Sequence, residues 1–129
     1  MFEVIPFIGA ALAVGYLLAS ALSKDLRISW IIPALICAAF LAWTLFAVVS
    51  EGPLGFWAIH TGSAWANQVW FDLLIGIAVA WTVLLPKARR LGLRPLPWAV
   101  LILCTGCIGL TAMFARILWL EQNATLSAR

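Results

Sequence analysis

Four apolar stretches, at about residues 4–22, 28–49, 67–85 and 96–120, take up most of this chain. Each has the length that carries an α-helix across the hydrocarbon of a bilayer. Lipid offers no partner to a backbone N–H or C=O, so such stretches span as helices or not at all. Composition agrees, since 65% of the 129 residues are hydrophobic and 10% charged, and a soluble fold of this size has nowhere to bury that much apolar surface. The expectation is an all-α integral membrane protein. A single transmembrane domain over 1–129 would form a four-helix bundle with short loops and sequential helices as antiparallel neighbours.

Charge sets the expected orientation. The net charge of +3 is not the signature of nucleic-acid binding, because Lys24, Arg27, Lys87, Arg89, Arg90 and Arg94 sit in two short inter-helix loops, while the loop after the second stretch has no Lys or Arg. By the positive-inside rule both basic loops are cytoplasmic and both termini lie outside, an N-out/C-out arrangement suited to a bacterial inner membrane. Trp30 and Trp98 then fall at the inner boundary and Trp57, Trp65, Trp70 and Trp119 at the outer one, with Trp43 and Trp81 deeper, as packing residues or part of a ligand wall.

Punctuation refines the spans. Ala19-Ser20-Ala21 has the small residues of a signal-peptidase site, but the stretch before it carries Glu3 and no Lys or Arg, so a retained first helix is expected. Pro86 should stop the third span, and Pro95 and Pro97 should introduce the fourth. Leu54 to His60 is too apolar for a free linker and too short to span; it is expected to lie along the interface.

Asp72 is the acid to explain. A carboxylate at mid-bilayer costs roughly 2.5–3.5 kcal/mol on insertion scales and usually faces a partner inside the bundle. Asp72, Gly76 and Ala80 share a helix face, as do Arg116, Ala112, Gly109 and Thr105 in the last stretch. In antiparallel helices both charges would lie about 6 Å below the outer boundary, which predicts an Asp72–Arg116 pair, either a structural ion pair or a proton-handling one. Asn67, one turn before Asp72, would extend that site or cap its helix.

His60, the sole histidine, is read as an acid–base group, an axial ligand to a tetrapyrrole, or an ordinary interfacial residue. Cys37, Cys104 and Cys107 lie within apolar stretches, and the CxxC spacing of the last two has no second ligand pair, so neither a metal site nor a disulfide framework is expected. The chain has no Gly-rich phosphate loop, no paired carboxylates and no nucleophile beside a base, which sets aside a conventional hydrolase or kinase. Four short helices without a half-to-half repeat also leave little room for alternating-access transport.

Trp65-Ala-Asn67-Gln-Val-Trp-Phe71-Asp72-Leu73-Leu-Ile-Gly76, then Ala88-Arg-Arg-Leu-Gly92-Leu, then Thr105-Gly106-Cys-Ile-Gly109-Leu110 and Arg116, resembles the second half of the ABA4-like family, small four-helix membrane proteins of plants, cyanobacteria and other bacteria. The related DUF2834 group has a similar layout. Family members tend to carry His where this chain has Asn67 and Pro where it has Cys107. What the resemblance implies is a link to carotenoid metabolism. On that basis the expected function is binding an isoprenoid or carotenoid-type lipid and assisting its conversion, with Asp72, Arg116, Asn67, His60, Trp65 and Trp81 as ligand-binding candidates and no residue assigned to catalysis. The alternative is a non-catalytic accessory subunit of a larger photosynthetic or respiratory membrane complex. No cofactor is called for beyond a carotenoid or other apolar pigment or lipid. The expected partners are the bilayer and either a larger complex or further copies of the chain.

Overall fold

The computed structural model describes residues 4–23 and 26–127. Glu3, and Lys24 and Asp25 of the first basic loop, lie outside the described residues. The described part is helical: α1 (Ile5–Leu22), α2 (Ile31–Glu51), α3 (Gly55–Thr61), α4 (Ala64–Arg90), α5 (Pro95–Thr105) and α6 (Cys107–Ser127), with no strand among the described residues. Three of these, α1, α2 and α4, are long and apolar enough to cross a membrane.

The principal correction concerns the last apolar stretch. In place of one span over 96–120, the chain makes a helical hairpin: α5 ends at Thr105, Gly106 turns with φ +61° and ψ −126°, and α6 doubles back along α5. An L-residue with a Cβ rarely adopts that φ, so the turn depends on glycine. Thr105 ties its two sides together, its hydroxyl donating to Leu101 O at 2.7 Å and accepting from Gly109 N at 3.0 Å. Gly106 N closes onto Ile102 O at 2.7 Å. Gly109 lets the arms meet, because a Cβ there would stand 2.9 Å from Ile102 N and 3.0 Å from its Cα. These bonds satisfy turn backbone within the chain, which is what non-helical backbone needs if it is to be tolerated at membrane depth.

Direction follows from the contacts of α6. Cys37 Sγ donates to Ile108 O at 3.4 Å and Gln122 Nε2 to Ile28 O at 2.9 Å, so α2 and α6 run antiparallel. Gly106 approaches Ile77, and Lys87 Nζ lies 3.8 Å from Glu121 Oε1, so α4 and α6 run parallel. The turn therefore sits level with the middle of α4, and the arms occupy only the half of the bundle toward Lys87. At about 1.5 Å per residue, the 11 residues of α5 rise roughly 16 Å, about half the hydrocarbon thickness. The C-terminal end of α6 thus lies beside the C-terminal end of α4 and the start of α2, which contradicts the expected placement of the C-terminus opposite the basic 87–94 loop. Trp119 moves with it and joins Trp30 and Trp98.

Helix α6 is the hub, packed against α2, α4 and α5. Sequential packing holds for α3 on α4 and α5 on α6, but not for α2, whose main neighbour is α6 rather than the helices next to it in the chain. Ala88, Ile102, Met113 and Ile117 form the core, with Ile77, Trp81 and Leu84 packed on it. The buried face of α4 is accordingly Ile77, Trp81, Leu84 and Ala88, at helical spacing, and not the expected Asp72–Gly76–Ala80 face; a Cβ on Gly76 would meet nothing within 4 Å. Bulky side chains that interdigitate with Met113 and Ile117 bury more surface than a small-residue stripe does. Helix α4 also runs through Pro86 to Arg90, longer than expected, with Lys87, Arg89 and Arg90 in its last turn, where cations favour the negative end of the helix dipole.

Helix α1 stands apart. It has no buried residue, and Cβ atoms on Gly9 and Gly15 would meet nothing within 4 Å. The chain as a whole exposes 9835 Å², about half as much again as the roughly 6,700 Å² of a soluble monomer of its mass.

Candidate functional site

The expected site was a single one, built on an Asp72–Arg116 pair. The hairpin separates its members. Asp72 lies 15 residues above Lys87 on α4, and Arg116 lies five residues above Glu121 on α6, so the Lys87–Glu121 contact puts them about 15 Å apart along the bundle. The pair does not form. Asp72 Oδ2 instead accepts from Gln68 Nε2 at 3.2 Å on an exposed stretch of α4, and the Arg116 guanidinium lies over the Trp119 ring, 4.4 Å from its centroid. Lys87–Glu121 is the ion pair among the described residues, half-exposed on both sides. It was missed because a fourth span running the full membrane depth would have put Glu121 at the opposite end from Lys87.

What remains is two separate groups of candidates. At the α3 end, the short helix α3 folds back onto α4. Phe56 stacks on Trp70 with ring centroids 6.0 Å apart at 29°, and His60 meets the edge of Trp70 at 4.9 Å. The His60 Nδ1–H donates to Phe56 O at 2.7 Å, which fixes the ring and leaves Nε2 uncommitted. Ser63 caps α4, its hydroxyl accepting from Ala66 N at 3.1 Å. Asn67 is therefore inside the helix and not its cap; its side-chain amide donates to Ser63 O at 3.1 Å. Trp65 is 81% exposed and projects from the bundle. No wall of side chains encloses His60, Asn67 and Asp72 together: each bonds within its own segment.

At the Lys87 end, an open groove of about 370 Å³ runs between α2, α5 and α6. Trp30, Trp98 and Trp119 line it with Ala34, Ala112, Ala115 and Arg116. Four of these come from α6, and the groove exists because the hairpin brings α5 back beside it. Trp98 signalled this end by its place just after the basic loop; Trp119 did not, since its level depends on the turn. Trp81 belongs to neither group: it packs on the core and does not line the groove.

Cys104 and Cys107 stand on either side of the turn as free thiols, and no group of three His, Cys, Asp or Glu among the described residues is placed to hold a metal ion. Comparison with known proteins gives no further assignment: no protein-family model, no curated protein and no solved structure matches this chain.

Proposed function

We propose that this chain is a non-catalytic subunit of a larger assembly in a bacterial inner membrane, with the 87–94 loop, the start of α2 and the C-terminus on the cytoplasmic side. The observation that carries the reading is α1, an 18-residue apolar helix joined to α2 by a short connection, yet without one residue buried against the chain. Helices in lipid associate through close packing of small residues, and α1 offers Ala11, Gly15 and Ala19 on one stripe. A packing surface unused within the chain fits a helix from another subunit or a second copy. The separation of Arg116 from the α3 end, and the bonding of His60, Asn67 and Asp72 each within its own segment, support the same reading, because general acid–base work needs groups converging within about 3 Å of the reacting atoms.

A second reading, binding of an isoprenoid or carotenoid-type lipid, is supported by the resemblance to the ABA4-like family and by the apolar, tryptophan-lined groove. It gives the ligand Trp30, Trp98 and Trp119 as contacts in place of Asp72 and His60. One experiment separates the two. The protein, tagged at its C-terminus and extracted in mild detergent from a carotenoid-making host, is run on a native gel and its absorption spectrum taken. A stoichiometric complex well above 14.1 kDa and no visible absorption is the expected result. A monodisperse monomer overturns the subunit reading; a monomer with a polyene spectrum establishes the second.

A further inference from the structure

The groove at the Lys87 end holds a cation that no described residue neutralises. Arg116 is exposed and pairs with no carboxylate among the described residues; Glu121, the nearest acid along α6, is engaged by Lys87. An arginine beside membrane-spanning helices ordinarily finds an anion or reaches for the interface. Its surroundings fix what sort of anion. Trp30 at the N-cap of α2, Trp98 on α5 and Trp119 on α6 converge around the groove, at the level where amphipathic rings sit beside lipid headgroups. Inward of them the walls are aliphatic, and the small side chains of Ala112 and Ala115 leave the opening of about 370 Å³.

We infer that this groove binds an anionic phospholipid, with the headgroup phosphate on Arg116 among the tryptophan rings and an acyl chain against Ala34 and Ala112. The guanidinium fork matches two phosphate oxygens, and its stacking on Trp119 at 4.4 Å holds the fork at the rim. Arg89, Arg90 and Arg94 at the same end add attraction for an anionic surface without specifying a site. A wholly apolar occupant would fill the same walls but leave the guanidinium unanswered. A soluble anion would satisfy Arg116 but leave the walls bare. Only an amphiphile meets both. The inference does not depend on whether the chain works as a subunit.

The test reconstitutes the delipidated full-length protein into phosphatidylcholine nanodiscs containing a minor fraction of brominated lipid and reads quenching of tryptophan fluorescence. Brominated phosphatidylglycerol should quench more than brominated phosphatidylcholine. That preference should fall about fivefold in Arg116→Gln, the factor of one cation–headgroup contact near a membrane surface, and fall by less in Arg116→Lys, which keeps the charge but loses the fork. Ala112→Leu, which fills the groove and leaves the charge, should also lose it, so the inference remains testable if Arg116→Gln fails to fold. Equal quenching by the two lipids in the unmodified protein overturns the site. So does an undiminished preference in Arg116→Gln or in Ala112→Leu, because the basic loop alone would then account for it. Displacement by millimolar inorganic phosphate would assign the contact to a soluble anion, and the lipid reading would fall.

Discussion

Helix α1 and the α5–α6 hairpin are both made of apolar residues, yet they stand at opposite extremes of burial. The 18-residue apolar window of α1 has a mean hydropathy of 2.0 and is 0% buried, whereas the hairpin supplies Ile102, Ile108, Met113, Ala115 and Ile117, every buried hydrophobic of the described chain but Ala88. Hydropathy states what must leave water. It does not state whether lipid or protein receives it, because a hydrocarbon tail is as apolar as a leucine. The difference between the two regions is made by Gly106, Gly109 and Thr105, which fold one segment back onto itself and so give its side chains something to pack against. Helix α1 has glycines too, but no turn device.

The comparison is broken or sharpened most decisively by sidedness. In a background with Cys37, Cys104 and Cys107 replaced by alanine, single cysteines are placed at Val4, Arg90 and Thr125 and labelled from one side of sealed vesicles. If α1 crosses the membrane and the hairpin does not, Arg90→Cys and Thr125→Cys label from the same side and Val4→Cys from the other. Labelling of Thr125→Cys from the side of Val4→Cys would mean that the last segment spans after all. Next in size is the hairpin core. Met113→Ala should cost about 2–3 kcal/mol in a detergent-unfolding titration, the low part of the range for cores in water, since lipid removes much of the transfer contribution but not the lost contacts. Gly109→Ala should cost about 1–2 kcal/mol in the same titration, by forcing a Cβ to within 2.9 Å of Ile102 N. A loss below measurement in either variant would remove the hairpin's claim to be the core. Smallest is Leu17→Ala in α1, where the side chain is 63% exposed and the change for the isolated protein should stay within about 0.5 kcal/mol. A larger effect would show that α1 packs within the chain.

Local rules found the helices α1, α2 and α4 because each rests on an uninterrupted apolar run. They placed the α3 segment as something other than a linker for the same reason. They went wrong at Pro86, which suggested a stop. Helix α4 tolerates the missing N–H and continues to Arg90. They went wrong again at Gly106. One glycine among apolar residues lowers helix propensity by only about 1 kcal/mol, so an unbroken span was the simpler expectation. Thr105 and Gly109 were visible as a polar and a small residue on one face, but their role shows only when α5 is seen to lie against them. The Asp72–Arg116 pair failed with the span that would have aligned it. The tryptophans of the groove could be assigned a level from sequence only where the chain direction was already right, as for Trp30 and Trp98.

By itself the sequence determined that this chain is helical, that most of it belongs in an apolar medium, and that four of its eight cations gather at Lys87–Arg94, since these follow from composition and from periodicity within a single segment. Only the tertiary structure decided that the last apolar segment turns at Gly106, that α6 is the hub, that Arg116 shares a groove with Trp30, Trp98 and Trp119, and that Asp72 is left at a distance. The physical reason is that a reversal of direction is set by one backbone torsion and a few contacts between residues far apart in sequence. No count of apolar residues records either.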